Sequence, residues 1–176
     1  MGTAWQPLTW HVFHTIALNY NESYKDEYIN FFNCLKTCIP CRICRNHYIQ
    51  QINNDNMNIE NNISKERIFH WTVDLHNTVN KMNHKRTWSY DESNNYYQKN
   101  NFNDNVCKHY IYEYIKSNFK KNPQKTNELL RMIQTLSYFH PNEEKRNKLI
   151  DFKSKFELNR QNIKSWVYAF LIILKS

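Results

Sequence analysis

Residues 64–82 of the chain read SKERIFHWTVDLHNTVNKM. Apolar side chains recur here every three or four positions, which is the spacing of one face of an α-helix. Ser64 is placed to cap the first turn, because a serine side chain accepts hydrogen bonds from unpaired helix amides. We therefore predict a long helix over 64–82, preceded by an Asn-rich loop over 53–62. Five of its side chains lie on adjacent faces: Ile68, Trp71, Leu75, His76 and Val79.

The segments on the N-terminal side of this helix have the same spacing. Their apolar and aromatic residues predict helices over 9–20 and 23–37. A third helix is expected to begin at Pro40, because proline lacks the amide hydrogen that a first turn leaves unpaired. Cys41 would then lie in the first turn, with Cys44 about one turn later.

On the C-terminal side, Ser89 and Glu92 match the S-x-x-E pattern of a capping box. A helix is therefore predicted to begin at Ser89, with Trp88 placed as a hydrophobic staple. Polar residues over 101–105 interrupt the helical pattern. Apolar residues at helical spacing resume after them, and we expect this next helix to end at Pro123. Further helices are predicted over 124–139, 142–158 and 161–174.

The composition excludes several kinds of nucleotide site. Among 176 residues there are one glycine, at position 2, and four prolines. Phosphate loops and the GxGxxG dinucleotide turn need several glycines, so a bound nucleotide would be held in another way. The scarcity of glycine also disfavours a strand-rich fold, because the turns between strands normally need more of it. With 40% apolar residues available for a core, we predict an all-α protein.

The chain is basic, with a formal net charge of +8 and an isoelectric point near 9.2. Such a charge is compatible with an anionic partner, but the basic residues are scattered, and no nucleic acid partner is expected. No N-terminal segment has the features of a secretory signal, and the apolar run over 166–174 is too short to cross a bilayer. We therefore expect a soluble, non-secreted protein without a membrane partner.

The chain has five cysteines, which allow three kinds of chemistry: Cys34, Cys38, Cys41, Cys44 and Cys107. A zinc site could combine thiolates with His47, although structural zinc usually joins two separated ligand pairs. An iron–sulfur site would need a further cysteine where Tyr48 stands. A redox dithiol at Cys41 and Cys44 would lie at a helix N-terminus, where unpaired amides lower the pKa of a thiol. The cysteine spacing alone leaves the three chemistries open.

Three sequence blocks surround this cluster in a fixed order. They are WHVFH at 10–14 followed by Tyr20, PCRICRNH at 40–47, and WTVDLHNTVN at 71–80 followed by Lys85. Together the blocks resemble the flavin-linked sulfhydryl oxidases of the ALR (augmenter of liver regeneration) family. The resemblance covers about 5–100, and the flanking residues look like the small members carried by large DNA viruses.

The resemblance implies a four-helix bundle with a short fifth helix that binds FAD, in a domain over 1–103. It leaves a helical extension over 104–176 without an assigned role. On the family pattern, Cys44 is the sulfur beside the flavin, and Cys41 exchanges with substrate thiols. The residues that would bind FAD carry over to these positions: Trp10, His14, Tyr20, His47, Trp71, His76, Asn77, Val79, Asn80 and Lys85.

The activity implied by the resemblance is that of a thiol oxidase. Electrons would pass from protein dithiols through Cys41 and Cys44 to FAD and then to oxygen, yielding hydrogen peroxide, and no metal is expected. The resemblance further implies a homodimer through the first two helices, and a viral member would act in the host cytoplasm or the virion. The alternative is a zinc-stabilised helical module that binds an anionic partner.

The chain departs from the family pattern in three respects. The family often has an arginine ahead of the first tryptophan, whereas Gln6 and Pro7 stand nearby in this chain. Asn83 replaces a leucine, and a second, shuttle CxxC is absent from the sequence. Cys34 and Cys38 are spaced for one helical face, and we expect them to be buried thiols rather than a shuttle pair.

Overall fold

Helices follow one another along the whole described part of the chain. A computed structural model describes residues 5–119 and 122–175, and neither range contains a strand. The predicted all-α class is therefore confirmed. Within these ranges, no helix is long and apolar enough to span a membrane. The α-helices are α1 (Trp5–Leu18), α2 (Lys25–Cys38), α3 (Arg42–Ile52), α4 (Ile59–Asn62), α5 (Ile68–Met82), α6 (Tyr90–Lys99), α7 (Asp104–Asn118), α8 (Pro123–Thr135), α9 (Glu143–Lys155) and α10 (Ile163–Lys175).

Aromatic side chains join α1, α2, α3 and α5 into a bundle. The Phe13 ring of α1 packs edge-on against Phe31 and Phe32 of α2, at centroid distances of 5.8 and 5.4 Å. Phe32 also meets Trp71 of α5 at 4.7 Å. The Tyr48 hydroxyl of α3 donates to the Phe32 carbonyl at 2.8 Å. These buried contacts hold the helix starts and ends that form the site described below.

Two helices begin later than the sequence pattern predicts. α5 begins at Ile68, and Ser64 does not cap it with its side chain; its backbone carbonyl instead accepts from two amides at the helix start, at 3.2 and 3.0 Å. α3 begins at Arg42, because Cys41 keeps an extended backbone with φ −80° and ψ 121° and is the N-cap. The predicted starts at Ser64 and Pro40 are therefore wrong.

Pro123 begins a helix rather than ending one. It is the first residue of α8, where its missing amide hydrogen leaves nothing unpaired. The Asn122 side chain caps this helix by accepting from the Lys125 amide at 3.2 Å. The predicted loop over 53–62 also contains helical structure, because α4 and a 3₁₀ turn at Asp55–Met57 lie within it.

The capping box that predicts α6 is confirmed. The Glu92 amide donates to Ser89 Oγ at 3.1 Å, and the Ser89 amide donates to the Glu92 carboxylate at 2.9 Å. The fourth residue of the helix is Ser93, so Trp88 finds no apolar partner there. Its ring packs edge-on against Tyr96 instead, with the centroids 5.4 Å apart.

The C-terminal helices share one core with the bundle. α7 packs along α1, and α8 packs along α2. Tyr110 and Tyr114 of α7 are completely buried, and the Tyr114 hydroxyl lies 3.1 Å from that of Thr9. The Asn118 amide donates to the Cys38 carbonyl at 2.8 Å, just before the CxxC segment. A domain boundary at residue 103 stays a prediction, but residues on both sides of it stabilise the same core.

This packing leaves little free surface on the first two helices. Pro7 is the one exposed side chain of α1, and α2 exposes Lys25, Asp26 and Lys36. A homodimer through these two helices stays a prediction. Because α7 packs along α1 and α8 along α2, the surface available for such a dimer is small.

We predict that Asn118→Ala lowers the free energy of unfolding by about 1–3 kcal/mol, because the buried Cys38 carbonyl would lose its donor. Chemical denaturation of the intact chain measures the change. Asn105→Ala, at an exposed position of the same helix, is the control and should stay within about 0.5 kcal/mol of the parent. Equal stabilities of the two variants would show that the extension is not anchored at this contact.

Candidate active site

Backbone hydrogen bonds fix the segment between α2 and α3 that carries the CxxC. The Cys44 amide donates to Cys41 Sγ at 3.2 Å, and the Arg45 amide donates to the Cys41 carbonyl at 2.9 Å. The Arg45 guanidinium reaches back to the Ile39 carbonyl at 2.8 Å. Cys41 is therefore held at the N-terminus of α3, where the unpaired amides favour a negative charge.

The two sulfurs of this motif differ in acidity. Burial disfavours the Cys41 thiolate, but hydrogen bonds from the Cys44 thiol and from the amides of Cys44 and Ile43, together with the Arg45 charge, outweigh it and lower the pKa of Cys41. Burial and the neighbouring Cys41 sulfur raise the pKa of Cys44 to about 11. In the reduced pair, Cys41 is therefore the sulfur that ionises first.

The other three cysteines are buried, as expected for Cys34 and Cys38. Burial raises the pKa of Cys34 and of Cys107 to about 12, and it also raises the pKa of Cys38. These thiols are consequently poor nucleophiles in the folded protein. No group of three or more His, Cys, Asp or Glu side chains is arranged to hold a metal within residues 5–119 and 122–175. The zinc alternative thus gains no geometric support from the described residues.

A cleft of about 710 Å³ opens beside Cys44, between α1, α3, α5 and α6. Its volume lies in the range of small-molecule and cofactor sites, about 300–1,000 Å³. Cys44 is in its wall, whereas Cys41 is not among the lining residues. Of the predicted FAD-binding residues, the structure brings together in this wall Trp10, His47, His76, Val79, Asn80 and Lys85.

Stacked rings form one wall of the cleft. Trp10 and His76 are nearly parallel, with an interplanar angle of 6° and centroids 4.1 Å apart. Behind His76 lies the buried His14, whose Nε2 is 2.9 Å from His76 Nδ1. His14 Nδ1 in turn lies 2.9 Å from the hydroxyl of Thr72. His14 therefore supports the wall from behind without lining the cleft.

Both imidazoles of this wall are neutral at pH 7. Burial, followed by the charges of His76 and His11, lowers the pKa of His14 well below its ordinary value. Burial, followed by the Lys85 ammonium, lowers the pKa of His76 to about 4. Each ring consequently carries one hydrogen and offers one bare nitrogen.

Three further predicted residues lie outside the cleft lining. The Tyr20 hydroxyl donates to the Glu22 carboxylate at 2.9 Å, away from the stacked wall. The indole of buried Trp71 donates to the Met57 carbonyl at 2.8 Å.

The third, Asn77, holds the backbone of Trp88: its amide donates to the carbonyl at 2.8 Å and accepts from the amide at 2.9 Å. Asn77 therefore positions the start of α6.

The side chain of Asn80 lines the cleft and makes no hydrogen bond with any residue that the structure describes.

His11, which is not among the predicted FAD-binding residues, also lines the cleft. Its Nε2 is buried and has no hydrogen-bond partner among the described residues. A buried ring nitrogen without a partner is costly unless a ligand or water satisfies it. The sequence signal for His11 is a polar residue beside Trp10, one helical turn before His14. Tyr96, Tyr97 and Gln6 were likewise not selected, and each lines the cleft.

Comparison with known proteins gives one family for this part of the chain. The Erv1/Alr family model matches residues 7–103. A probable FAD-linked sulfhydryl oxidase of Acanthamoeba polyphaga mimivirus is 33% identical over 93 residues, which are 51% of this chain and 65% of that protein. An FAD-linked sulfhydryl oxidase of African swine fever virus (isolate Tick/Malawi/Lil 20-1/1983) is 28% identical over 107 residues, 56% of this chain and 84% of that protein. The chain thus spans less than two thirds of the mimivirus protein. No solved structure matches the chain.

We predict that iodoacetamide labels Cys41 first when the reduced protein is treated at increasing pH. Its pKa is lowered, so its thiolate is present at a lower pH than that of an ordinary thiol, whereas the pKa of Cys44 is raised to about 11. Mass spectrometry of peptides after short exposures measures the order of labelling. Buried Cys107 is the internal control and should stay unlabelled while the protein is folded. Earlier labelling of Cys44 would contradict the assigned acidities.

Proposed function

The chain belongs to the Erv1/Alr family, and we propose that it is an FAD-dependent thiol oxidase that forms disulfides in protein substrates. The observation that carries the proposal is that Cys44 lies in the wall of the cleft while its partner Cys41 stands outside the lining. One sulfur can thus face a cofactor, and the other is left to meet a substrate. The names of the viral relatives support the same activity.

The residues of the cleft fit FAD. Aromatic rings suit a flat heterocycle, and the unpaired His11 nitrogen and Asn80 amide offer hydrogen bonds that no described residue uses. Lys85 forms no ion pair with the described residues and can neutralise a pyrophosphate. None of these contacts needs a glycine loop, which agrees with a chain that has one glycine.

The first exchange would occur at Cys41. A substrate thiolate attacks Cys41 Sγ of the Cys41–Cys44 disulfide, and the bond between the two cysteines breaks, so Cys44 leaves as a thiolate. A second substrate thiolate then attacks the substrate sulfur of the mixed disulfide, which releases Cys41. The substrate dithiol loses two electrons and two protons; the Cys41–Cys44 pair gains the electrons, and the protons pass to the solvent or to the released cysteine sulfurs. The low pKa of Cys41 makes it a good leaving group in the second exchange.

Bound FAD would accept these two electrons from the dithiol and transfer them to oxygen, giving hydrogen peroxide. The chain would position Cys44 for this transfer through the N-terminus of α3, where the Cys44 amide donates to Cys41 Sγ. Gln6 lines the same cleft as Cys44 and stands near the position where the family often has an arginine.

The assembly and location of the protein are also proposals. A homodimer through α1 and α2 is part of the proposal, and α7 and α8, which pack along these helices, limit the surface that it could use. Since the relatives are viral proteins, we place the activity in the host cytoplasm or the virion, acting on protein dithiols.

We predict that Cys44→Ser and Cys41→Ser each reduce aerobic dithiothreitol oxidation by at least about a hundredfold, because each removes one sulfur of the cycling pair. Peroxide release measures turnover, and the visible spectrum measures bound flavin, which both variants should retain. Cys107→Ser, in the extension, is the control for losing a thiol as such. Turnover that survives in Cys44→Ser would contradict the proposed route.

Lys85→Gln is expected to weaken FAD binding about tenfold, because the pyrophosphate would lose a nearby cation. A fluorescence titration at several salt concentrations measures the dissociation constant, and the loss should shrink as salt increases. Lys81→Gln removes the same charge from an exposed position outside the cleft lining and serves as the matched control. Equal effects of the two substitutions would contradict a specific role for Lys85.

A further inference from the structure

A chain of hydrogen bonds runs from the backbone of α5 through α1 to the cleft. The Thr72 hydroxyl lies 2.7 Å from the Phe69 carbonyl and 2.9 Å from His14 Nδ1. His14 Nε2 lies 2.9 Å from His76 Nδ1. Thr72 and His14 are 0% and 1% exposed, so no solvent exchange compensates for an unpaired atom here.

The first link fixes the direction of the whole chain. Two oxygen atoms 2.7 Å apart need a hydrogen between them, and the Phe69 carbonyl has none to give. The Thr72 hydroxyl therefore donates its one hydrogen to Phe69 and can only accept from His14. His14 Nδ1 must then carry the ring hydrogen.

The remaining links follow from counting hydrogens. Neutral His14 has no second hydrogen, so its Nε2 accepts from His76 Nδ1. His76 is neutral as well, so its hydrogen is on Nδ1 and its Nε2 is bare. His76 is a lining residue, and its Nε2 makes no hydrogen bond with the described part of the chain.

We infer that Thr72 is a positioning residue, which fixes the hydrogens of His14 and His76 so that His76 presents a bare Nε2 to the cleft as a hydrogen-bond acceptor. Thr72 does not line the cleft and acts through the two imidazoles. The identity of the ligand as FAD rests on the proposed function, whereas the position of the hydrogens does not.

This acceptor restricts which part of a ligand can lie against His76. An N–H or O–H group can donate to the bare nitrogen, and FAD has such groups on both ring systems and on its sugar chains. A pyrophosphate at neutral pH has only acceptor oxygens and would be repelled by the lone pair. His76 and Lys85 both line the cleft. The donor groups of one ligand would therefore lie against His76, and its anionic group would lie against Lys85.

Nitrogen-15 NMR of histidine-labelled, FAD-loaded protein distinguishes protonated from bare ring nitrogens and tests the relay without any activity measurement. The wild-type spectrum should show the hydrogen on Nδ1 of both His14 and His76. In Thr72→Val, His14 loses its acceptor, so we expect the hydrogens to move to Nε2 of both rings. Thr72→Ser keeps the hydroxyl and should restore the wild-type pattern.

Thr78→Val is the matched control, because the Thr78 hydroxyl bonds the Asp74 carbonyl of the same helix and touches neither histidine. It should leave both imidazoles unchanged. A hydrogen on His76 Nε2 in the wild type, or identical patterns in Thr72→Val and wild type, would overturn the inference. If Thr72→Val does not fold, the wild-type spectrum still tests the positions of the hydrogens, and Thr72→Ala, which also lacks the hydroxyl, takes the place of Thr72→Val.

The affinity for FAD tests the consequence for the ligand. Thr72→Val should raise the dissociation constant for FAD about tenfold, because the hydrogen on His76 Nε2 would then face an N–H or O–H group of FAD. Thr72→Ser should stay close to wild type. Shifted hydrogens with unchanged affinity would overturn the assignment of His76 as the acceptor for the ligand. If the wild-type protein takes up no FAD at all, the proposed function fails, while the NMR result on the same protein still tests the relay.

Discussion

The hydrogen bond between His14 and His76 is the contact on which the rest of the site depends. It joins α1 to α5 at 2.9 Å and holds the ring that stacks on Trp10. It requires one hydrogen between two nitrogens, and burial keeps both rings neutral, so that this condition is met at pH 7. Protonation of both rings would place two cations in contact inside the core, which would open the wall of the cleft.

The C-terminal helices support this arrangement from the opposite side. α1 carries Trp10 and His14 on the face toward α5, while its Thr9 meets Tyr114 of α7. The Asn118 amide holds the carbonyl that precedes the CxxC segment. The extension therefore stabilises both halves of the site, the stacked wall and the cysteine loop, and it contributes the apolar Val106 to the lining of the cleft. It also covers the helices through which the family resemblance implies dimerisation.

The sequence was sufficient to predict the all-α class, most of the helices and the residue types of the site, because helical spacing and local motifs are encoded in neighbouring residues. It was not sufficient to predict which side chains line the cleft. Asn77 and Asn80 belong to the same motif, yet Asn77 is taken by the Trp88 backbone, a partner that only the tertiary fold supplies. His11 was missed for the same reason, since a lone polar residue on a helix is indistinguishable from a solvated one. Ser64 and Pro40 show that a favourable capping residue does not fix a helix start when the following backbone is extended or turns first.

Electron transfer from Cys44 into the cleft is tested most directly by an anaerobic titration of the FAD-loaded protein with a dithiol, followed by visible absorption. We expect one dithiol to be consumed in reducing the Cys41–Cys44 disulfide and one more in bleaching the flavin band, and we expect air to restore the band. A flavin band that stays unchanged while Cys41 and Cys44 become reduced would contradict it, because electrons would then not pass from Cys44 into the cleft.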